Sequence, residues 1–144
     1  MPVSVVGRRS AAGVSRARLA AEARRLLGAL HEDTAELTVS LVDDAAIRRL
    51  NRTYRGKDRP TDVLAFALRE GRRTPGDDAL LGDVVISLDT ATRQARARGV
   101  DTAEELRTLL IHGVLHLLGY DHERSAAAAR RMHTMERRLR TLLG

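Results

Sequence analysis

The sequence HGVLHLLGYDH occupies residues 112–122 and contains three of the five histidines in the chain. On a helix, His112 and His116 lie on one face, because residues four apart have Cβ atoms about 5–6 Å from each other. Gly119 can end that helix in the left-handed conformation, which turns the chain back and brings His122 towards the other two. Three converging imidazoles suit zinc and leave a fourth position open for water. The stretch therefore predicts a catalytic metal centre.

The same spacing occurs in the zinc signature of the metzincin proteases, which carry a glutamate directly after the first histidine as general base. Here that position is Gly113. A glycine cannot take a proton from water, so the protease mechanism loses its base while the three metal ligands remain. Glycine inside a helix costs about 1 kcal/mol relative to alanine, so we expect a compensating reason. Either the glycine leaves room for a phosphate, or it allows the helix to pack closely against a sheet.

Residues 112–122 resemble the signature of the YbeY family, which are bacterial metal-dependent endoribonucleases of ribosomal RNA maturation. Two further segments are similar to segments that the family shares, and they occur in the family's order: LNRTYRGKDRPTDVLAF at 50–66 and LGDVVI at 81–86. The resemblance covers roughly residues 36–143. It departs at Ala65-Phe66-Ala67, where the family commonly has Ser-Phe-Pro. If a serine hydroxyl lines the family's cleft, this chain lacks it.

The resemblance implies a metal-dependent, single-strand-specific endoribonuclease that binds one Zn²⁺ per chain through His112, His116 and His122. It places the family's functional arginine on Arg55, and we expect Arg55, Lys57 and Arg59 to contact RNA. A guanidinium presents a planar fork that fits two phosphate oxygens and stabilises charge developing in the transition state. Either the metal activates a water, or it polarises a phosphate oxygen while the RNA 2′-hydroxyl attacks.

The biological setting that the resemblance implies is ribosomal RNA processing, namely maturation of the 3′ end of small-subunit rRNA, together with ribosome quality control. The expected partners are single-stranded ribosomal RNA, the small ribosomal subunit and its assembly factors, without DNA or membrane. Two other functions stay open. One is a metallohydrolase of peptide or amide bonds, against which Gly113 argues, and the other is a non-enzymatic RNA-binding ribosome assembly factor.

Composition limits these alternatives. The formal net charge is +6, and Lys57 is the only lysine. A GC-rich genome would explain arginine in place of lysine, but it does not explain the excess of positive charge, which favours phosphate partners. There is no cysteine, which suits a reducing cytoplasm. We expect a cytoplasmic protein, because no apolar run approaches the 18 or so residues of a membrane span and residues 1–10 lack a hydrophobic signal core.

The periodicity of apolar residues predicts one α+β domain over residues 1–144, with a mixed four-stranded sheet and about five helices. Strands are predicted at 2–6, 36–42, 62–68 and 80–88. Helices are predicted at 10–31, with Ser15 or Ser10 as the cap, at 45–55, from a cap at 89–90 to about 98, from a cap at 101–102 to 118, and at 125–143. Residues 69–79 are predicted to form a polar loop. The helix that carries the metal histidines is apolar almost all round between 109 and 118, so it is predicted to be the central buried helix.

Three carboxylates are candidates for orienting the ligand imidazoles, namely Asp62, Asp83 and Asp121. Asp121 has a second possible role, which is to cap the turn before His122. The two remaining histidines, His31 and His133, lie outside the motif and are interpreted as structural.

Overall fold

A computed structural model describes residues 3–7, 14–68 and 80–144 of this protein. Their secondary structure follows the order β1 (Val3–Gly7), α1 (Arg16–Ala29), β2 (Glu36–Val42), α2 (Asp44–Arg55), β3 (Val63–Ala67), β4 (Leu80–Ser87), α3 (Leu88–Arg98), α4 (Thr102–Leu117) and α5 (Ala126–Leu143). The described part of the chain thus contains four strands and five helices, which confirms the predicted α+β class.

The four strands form one mixed sheet in the order β1-β2-β4-β3. The first three are parallel, and β3 runs antiparallel to β4 at the edge. Side chains alternate between the two faces of a strand, so β4 serves two hydrophobic clusters. Val84 and Ile86 belong to the main core, while Val85 joins Ile47 and Leu64 on the opposite face, under α2.

Helix α4 is the central element of the main core. It packs against β3 and β4 and also contacts α1, α3 and α5. Leu110, Val114 and Leu115 on this helix are completely buried, which confirms the prediction of a central buried helix. No helix in the described ranges has the length and apolar character needed to cross a membrane.

Several predicted boundaries are wrong by a few residues. Of the two predicted caps of α1, Ser15 is confirmed, because its Oγ accepts a hydrogen bond from the Arg18 backbone amide at 3.1 Å and the helix begins at Arg16. The helix ends at Ala29 instead of residue 31. Residues 10–13 and the predicted loop at 69–79 lie outside the described residues. The other helices, α2, α4 and α5, begin at or within one residue of their predicted starts.

The predicted cap of α3 is also wrong. Ser87, and not Asp89, is the N-cap, since its Oγ accepts from the Thr90 amide at 3.2 Å. The Asp89 carboxylate instead accepts a hydrogen bond from the Asp44 amide at 3.0 Å, at the first turn of α2. The Ser87 hydroxyl in turn donates to the Asp44 carboxylate at 2.6 Å. The polar groups at the starts of α2 and α3 therefore form hydrogen bonds with each other. A pattern of neighbouring residues in the sequence cannot show this arrangement.

Gly113 is the point at which α4 comes closest to the sheet. A Cβ added there would lie 2.7 Å from one methyl of Val84 and 3.3 Å from a methyl of Val63. Both Gly113 and Val84 are buried, so neither side can give way into solvent. Of the two explanations for this glycine, the structure supports close packing, since the missing side chain points at the sheet.

We predict that Gly113→Ala lowers the free energy of unfolding by about 1–3 kcal/mol, because overpacking outweighs the gain in helix propensity. Chemical denaturation measures this loss. Replacing Val84 by Ala in the same protein removes the clashing methyls, so the two substitutions together should cost less than the sum of their separate effects. Gly28→Ala is the control, because its added Cβ meets only the end of the Asp33 side chain, at 3.3 Å. Equal stability of wild type and Gly113→Ala would refute the packing explanation.

Candidate metal centre and cationic cleft

The end of α4 places the three motif histidines. His112 and His116 lie in its last two turns, and Gly119 follows with φ +95°, the left-handed value that the sequence predicts. The amide of Gly119 donates to the carbonyl of His116 and the amide of Tyr120 donates to that of Leu115, both at 3.0 Å. These two bonds form a Schellman motif. It reverses the chain and sends the next residues back towards the helix end.

The three imidazoles converge as predicted. One ring nitrogen from each of His112, His116 and His122 lies within 4.8 Å of the other two. The His112 and His116 rings have centroids 4.6 Å apart, and the His122 ring lies 5.5 and 5.6 Å from them. The structure therefore brings together, from two adjacent segments, three nitrogen donors that could hold one metal ion.

The donor set fits a borderline cation such as zinc. The Nε2 atoms of His112 and His116 are 3.1 Å apart, and two nitrogens on one tetrahedral zinc would be separated by roughly 3.3 Å. Burial lowers the pKa of His116, and the neighbouring His112 and His122 lower it further. A lowered pKa favours the neutral imidazole, which is the form that binds a metal.

Glu136 on α5 supports this arrangement from behind. Its Oε2 lies 3.4 Å from Nδ1 of His112, and this hydrogen bond holds the pKa of the Glu136 carboxyl below its usual value. The tautomer that donates from Nδ1 leaves the Nε2 lone pair of His112 directed at the centre of the triad. A carboxylate behind a ligand histidine orients the ring and raises its basicity. Sequence reasoning missed this residue, because only the packing of α5 on α4 brings it to His112.

Two of the three carboxylates predicted to orient the histidines have other hydrogen-bond donors. Asp62 accepts from Thr61 Oγ1 at 3.4 Å and from Gln94 Nε2 at 3.3 Å. Asp121 accepts from the Glu123 amide at 2.9 Å, which corresponds to its second predicted role as the cap of the turn at His122. Asp83 has no hydrogen bond to the triad in the described part of the chain, so its orienting role stays a prediction.

Arg55, Lys57 and Arg59 face the histidines across a cleft of about 440 Å³. Arg55 is the last residue of α2, and Gly56 ends the helix in the left-handed conformation, with φ +69°. The following loop is fixed by the buried Asn51, whose side-chain amide donates to the Arg59 carbonyl at 2.9 Å. The loop backbone that carries the three cations is therefore anchored at the end of α2 and at the Arg59 carbonyl.

The cations on this wall have no direct contact with a carboxylate in the described part of the chain, although Asp62, Asp121 and Glu123 line the same cleft. Arg55, Lys57 and Arg59 form no ion pair with any described residue, and the Arg55 guanidinium makes only a long contact of 3.5 Å with the Ala65 carbonyl. The nearby Asp58 pairs instead with Arg48 at 2.9 Å. The three cations are thus available to an anion in the cleft. Ala65 also lines the cleft, so the hydroxyl that a serine would bring there is missing.

The fold and the site together define a small α+β protein in which a histidine triad able to hold a metal ion faces a cationic wall. Comparison with known proteins gives the family. The family model described as Endoribonuclease YbeY matches residues 7–144. The chain belongs to this family, and the match begins nearer the N-terminus than the resemblance at 36–143 suggested.

Individual relatives agree with the family assignment. The chain is 46% identical to the protein named Endoribonuclease YbeY of Geobacter metallireducens over 144 residues, which cover 99% of this chain and 96% of that one. It is 49% identical to the protein of the same name from Aquifex aeolicus over 110 residues, or 76% of this chain and 71% of the relative. A solution structure from Thermotoga maritima matches 98% of this chain and 88% of its own, with a TM-score of 0.64 and 27% identity.

The contact of Glu136 with His112 leads to a prediction about metal affinity. We expect Glu136→Ala to weaken metal binding by about 10–100-fold, because the ligand ring loses its orienting acceptor. Glu136→Gln should have a smaller effect, since the amide oxygen still accepts from Nδ1. Competition with a chromophoric chelator measures the affinity, and a thermal melt checks the fold.

Glu123→Ala is the matched control for this experiment. Its carboxylate is 3.9 Å from His122 Nε2 but is 82% exposed, so its loss should change the affinity little. Wild-type affinity in Glu136→Ala would show that the contact does not support the metal ligand.

Proposed function

We propose that this protein is a metal-dependent, single-strand-specific endoribonuclease. The observation that carries the proposal is the cleft itself. In it the histidine triad and three cations, which have no ion-pair partner among the described residues, line one space that suits a phosphodiester. Family membership supports it, because the relatives are named as endoribonucleases. We further propose that the substrate is ribosomal RNA and that the activity serves small-subunit 3′ end maturation and ribosome quality control, with the small subunit and its assembly factors as partners.

His112, His116 and His122 are the residues proposed to hold the metal, and one Zn²⁺ per chain is the ion we propose. Bound there, it would supply Lewis acidity towards a phosphate oxygen or a water. We also propose that residues 1–144 form one functional domain. We propose the cytoplasm as its location, since ribosomal RNA is there and the chain has no cysteine that would need an oxidising compartment.

The role of Arg55 follows from its position. Its guanidinium stands on the wall opposite His116 and is not held by an acidic partner among the described residues, so it can grip two oxygens of the scissile phosphate and stabilise their growing charge. Lys57 and Arg59, further along the same loop, can hold neighbouring phosphates and fix the direction of the strand. Such contacts read the backbone and not the bases, so weak sequence preference is expected.

The peptide-hydrolase alternative is not favoured. The position that would carry its general base is Gly113, and a Cβ there would point at Val84 in the sheet. A glutamate could not reach the triad from this position without displacing that contact. For the same reason, we expect Gly113→Glu to disturb the packing of α4 on the sheet.

We predict that protein purified without chelators contains about one zinc ion per chain, and that chelation abolishes cleavage of unstructured RNA. His112→Ala, His116→Ala and His122→Ala should each lose the metal, because three ligands are needed to hold it in an open site. Elemental analysis measures the metal, and His31→Ala and His133→Ala serve as controls that keep it. RNA cleavage that persists after complete metal removal would contradict the proposed chemistry, and RNA binding without cleavage would support the assembly-factor alternative.

We predict that Arg55→Ala lowers kcat for RNA cleavage by about a hundredfold or more, while zinc content and melting temperature stay unchanged. Arg55→Lys should restore only part of the activity, because an ammonium cannot make two parallel hydrogen bonds to a phosphate. Arg49→Ala is the matched control, since Arg49 is an exposed arginine of the same helix outside the cleft. A fully active Arg55→Ala protein would remove this residue from the mechanism.

A further inference from the structure

A second depression lies on the far side of the loop that carries His122. It has a volume of about 290 Å³ and is lined by Tyr120, Asp121, Arg124 and Arg131, among others. Asp121 also borders the cleft of the triad. Only the loop at 119–124 therefore lies between this depression and the cleft of the triad.

This depression continues into a groove of about 460 Å³ along α5. Tyr120 and Arg131 line both spaces, so there is no break between them. Residues 127, 131, 134 and 138 recur on one face of α5 at helical spacing. The stretch from Arg130 to Arg138 is about 12 Å long at the rise of an α-helix.

The groove combines an apolar floor with a cationic rim. Tyr120 and Met135 are half-buried and pack against the main core, so the floor is fixed by the fold. Arg130, Arg131 and Arg138 form the rim, and all three are exposed. Neither they nor Arg124 forms an ion pair with any residue in the described ranges. An aromatic surface beside unpaired guanidinium groups is the combination that binds single-stranded nucleic acid, through stacked bases and held phosphates.

The platform at Tyr120 is rigid. Its amide is bonded to the Leu115 carbonyl in the Schellman motif that ends α4, and its neighbour Asp121 is fixed by the Glu123 amide. The backbone that orients the Tyr120 ring is therefore the same backbone that directs His122 to the triad.

We propose that single-stranded RNA leaving the cleft crosses the loop at 119–124 and lies in the α5 groove, with Tyr120 stacking on a base and Arg124, Arg130, Arg131 and Arg138 binding phosphates. This inference rests on the proposed ribonuclease function and extends it from the scissile phosphate to the flanking strand. It makes these residues positioning residues, because none of them touches the reacting atoms. The enzyme then prefers RNA long enough to fill both sites.

The experiment compares two unstructured RNAs, one of about four nucleotides and one of about sixteen, on the zinc-loaded full chain. The test protein is Arg131→Ala/Arg138→Ala, and the matched control is Arg24→Ala/Arg96→Ala. The control removes the same charge from exposed positions on α1 and α3. Steady-state cleavage gives kcat and KM, and fluorescence anisotropy gives the affinity and its dependence on salt.

We expect the groove variant to raise KM for the longer RNA by about tenfold and to reduce the slope of log affinity against log salt by about 1.4, which corresponds to two lost phosphate contacts on a single strand. Its kcat, and its KM for the short RNA, should match the control. Tyr120→Leu, which keeps an apolar side chain against the core, should weaken binding of the longer RNA about fivefold or more.

Equal behaviour of groove and control variants, or equal losses on both RNA lengths, would overturn the groove proposal and leave the proposed function standing. If the wild-type protein cleaves neither RNA, the proposed function fails, and the difference in binding between the two lengths still decides the groove. A groove that binds an acidic peptide such as poly-aspartate while the RNA measurements stay unchanged would assign it to a protein partner and refute the proposal.

Discussion

The contact between Gly113 and Val84 sets the geometry on which the site depends. Because no side chain stands between them, the backbone of α4 rests directly on the methyls of β4. That contact lets the helix lie close to the sheet at this point. Val63 touches the same point from β3, so the helix also lies against the edge strand. Val63 at the start of β3 and Arg55 at the end of α2 line the same cleft as His112 and His116.

The elements themselves follow from local sequence, since apolar periodicity and capping residues are properties of short segments. The sheet order does not. Nothing in β1 indicates that it pairs only with β2, and the position of β4 between β2 and β3 depends on contacts between residues far apart in the chain. The predicted cap of α3 is wrong for the same reason. Asp89 looks like a cap in sequence, but the first turn of α2 engages its carboxylate, and Ser87 takes the role.

The site likewise has features that local sequence predicts and features that depend on contacts between distant residues. The convergence of the triad was predictable, because spacing on one helix and a glycine at its end determine it within eleven residues. The fixed position of the cationic wall was not, since it depends on Asn51 holding the Arg59 carbonyl. The contact of Glu136 with His112 could not be predicted from the sequence. Glu136 lies 24 residues from His112, and its sequence context is that of any exposed arginine-rich helix. The contact between Glu136 and His112 comes from the packing of α5 on α4, which single-sequence patterns do not encode.

Charge explains why the triad and the wall belong together. The side chains lining the cleft include three cations, Arg55, Lys57 and Arg59, and three carboxylates, from Asp62, Asp121 and Glu123, so their formal charges sum to zero. Neutral imidazole ligands would cancel none of the charge of a divalent ion, so a loaded cleft carries about two positive charges more than an empty one. If the triad holds a divalent ion, that ion would strengthen the attraction of a phosphodiester to the cleft, while a neutral peptide bond would gain little from it.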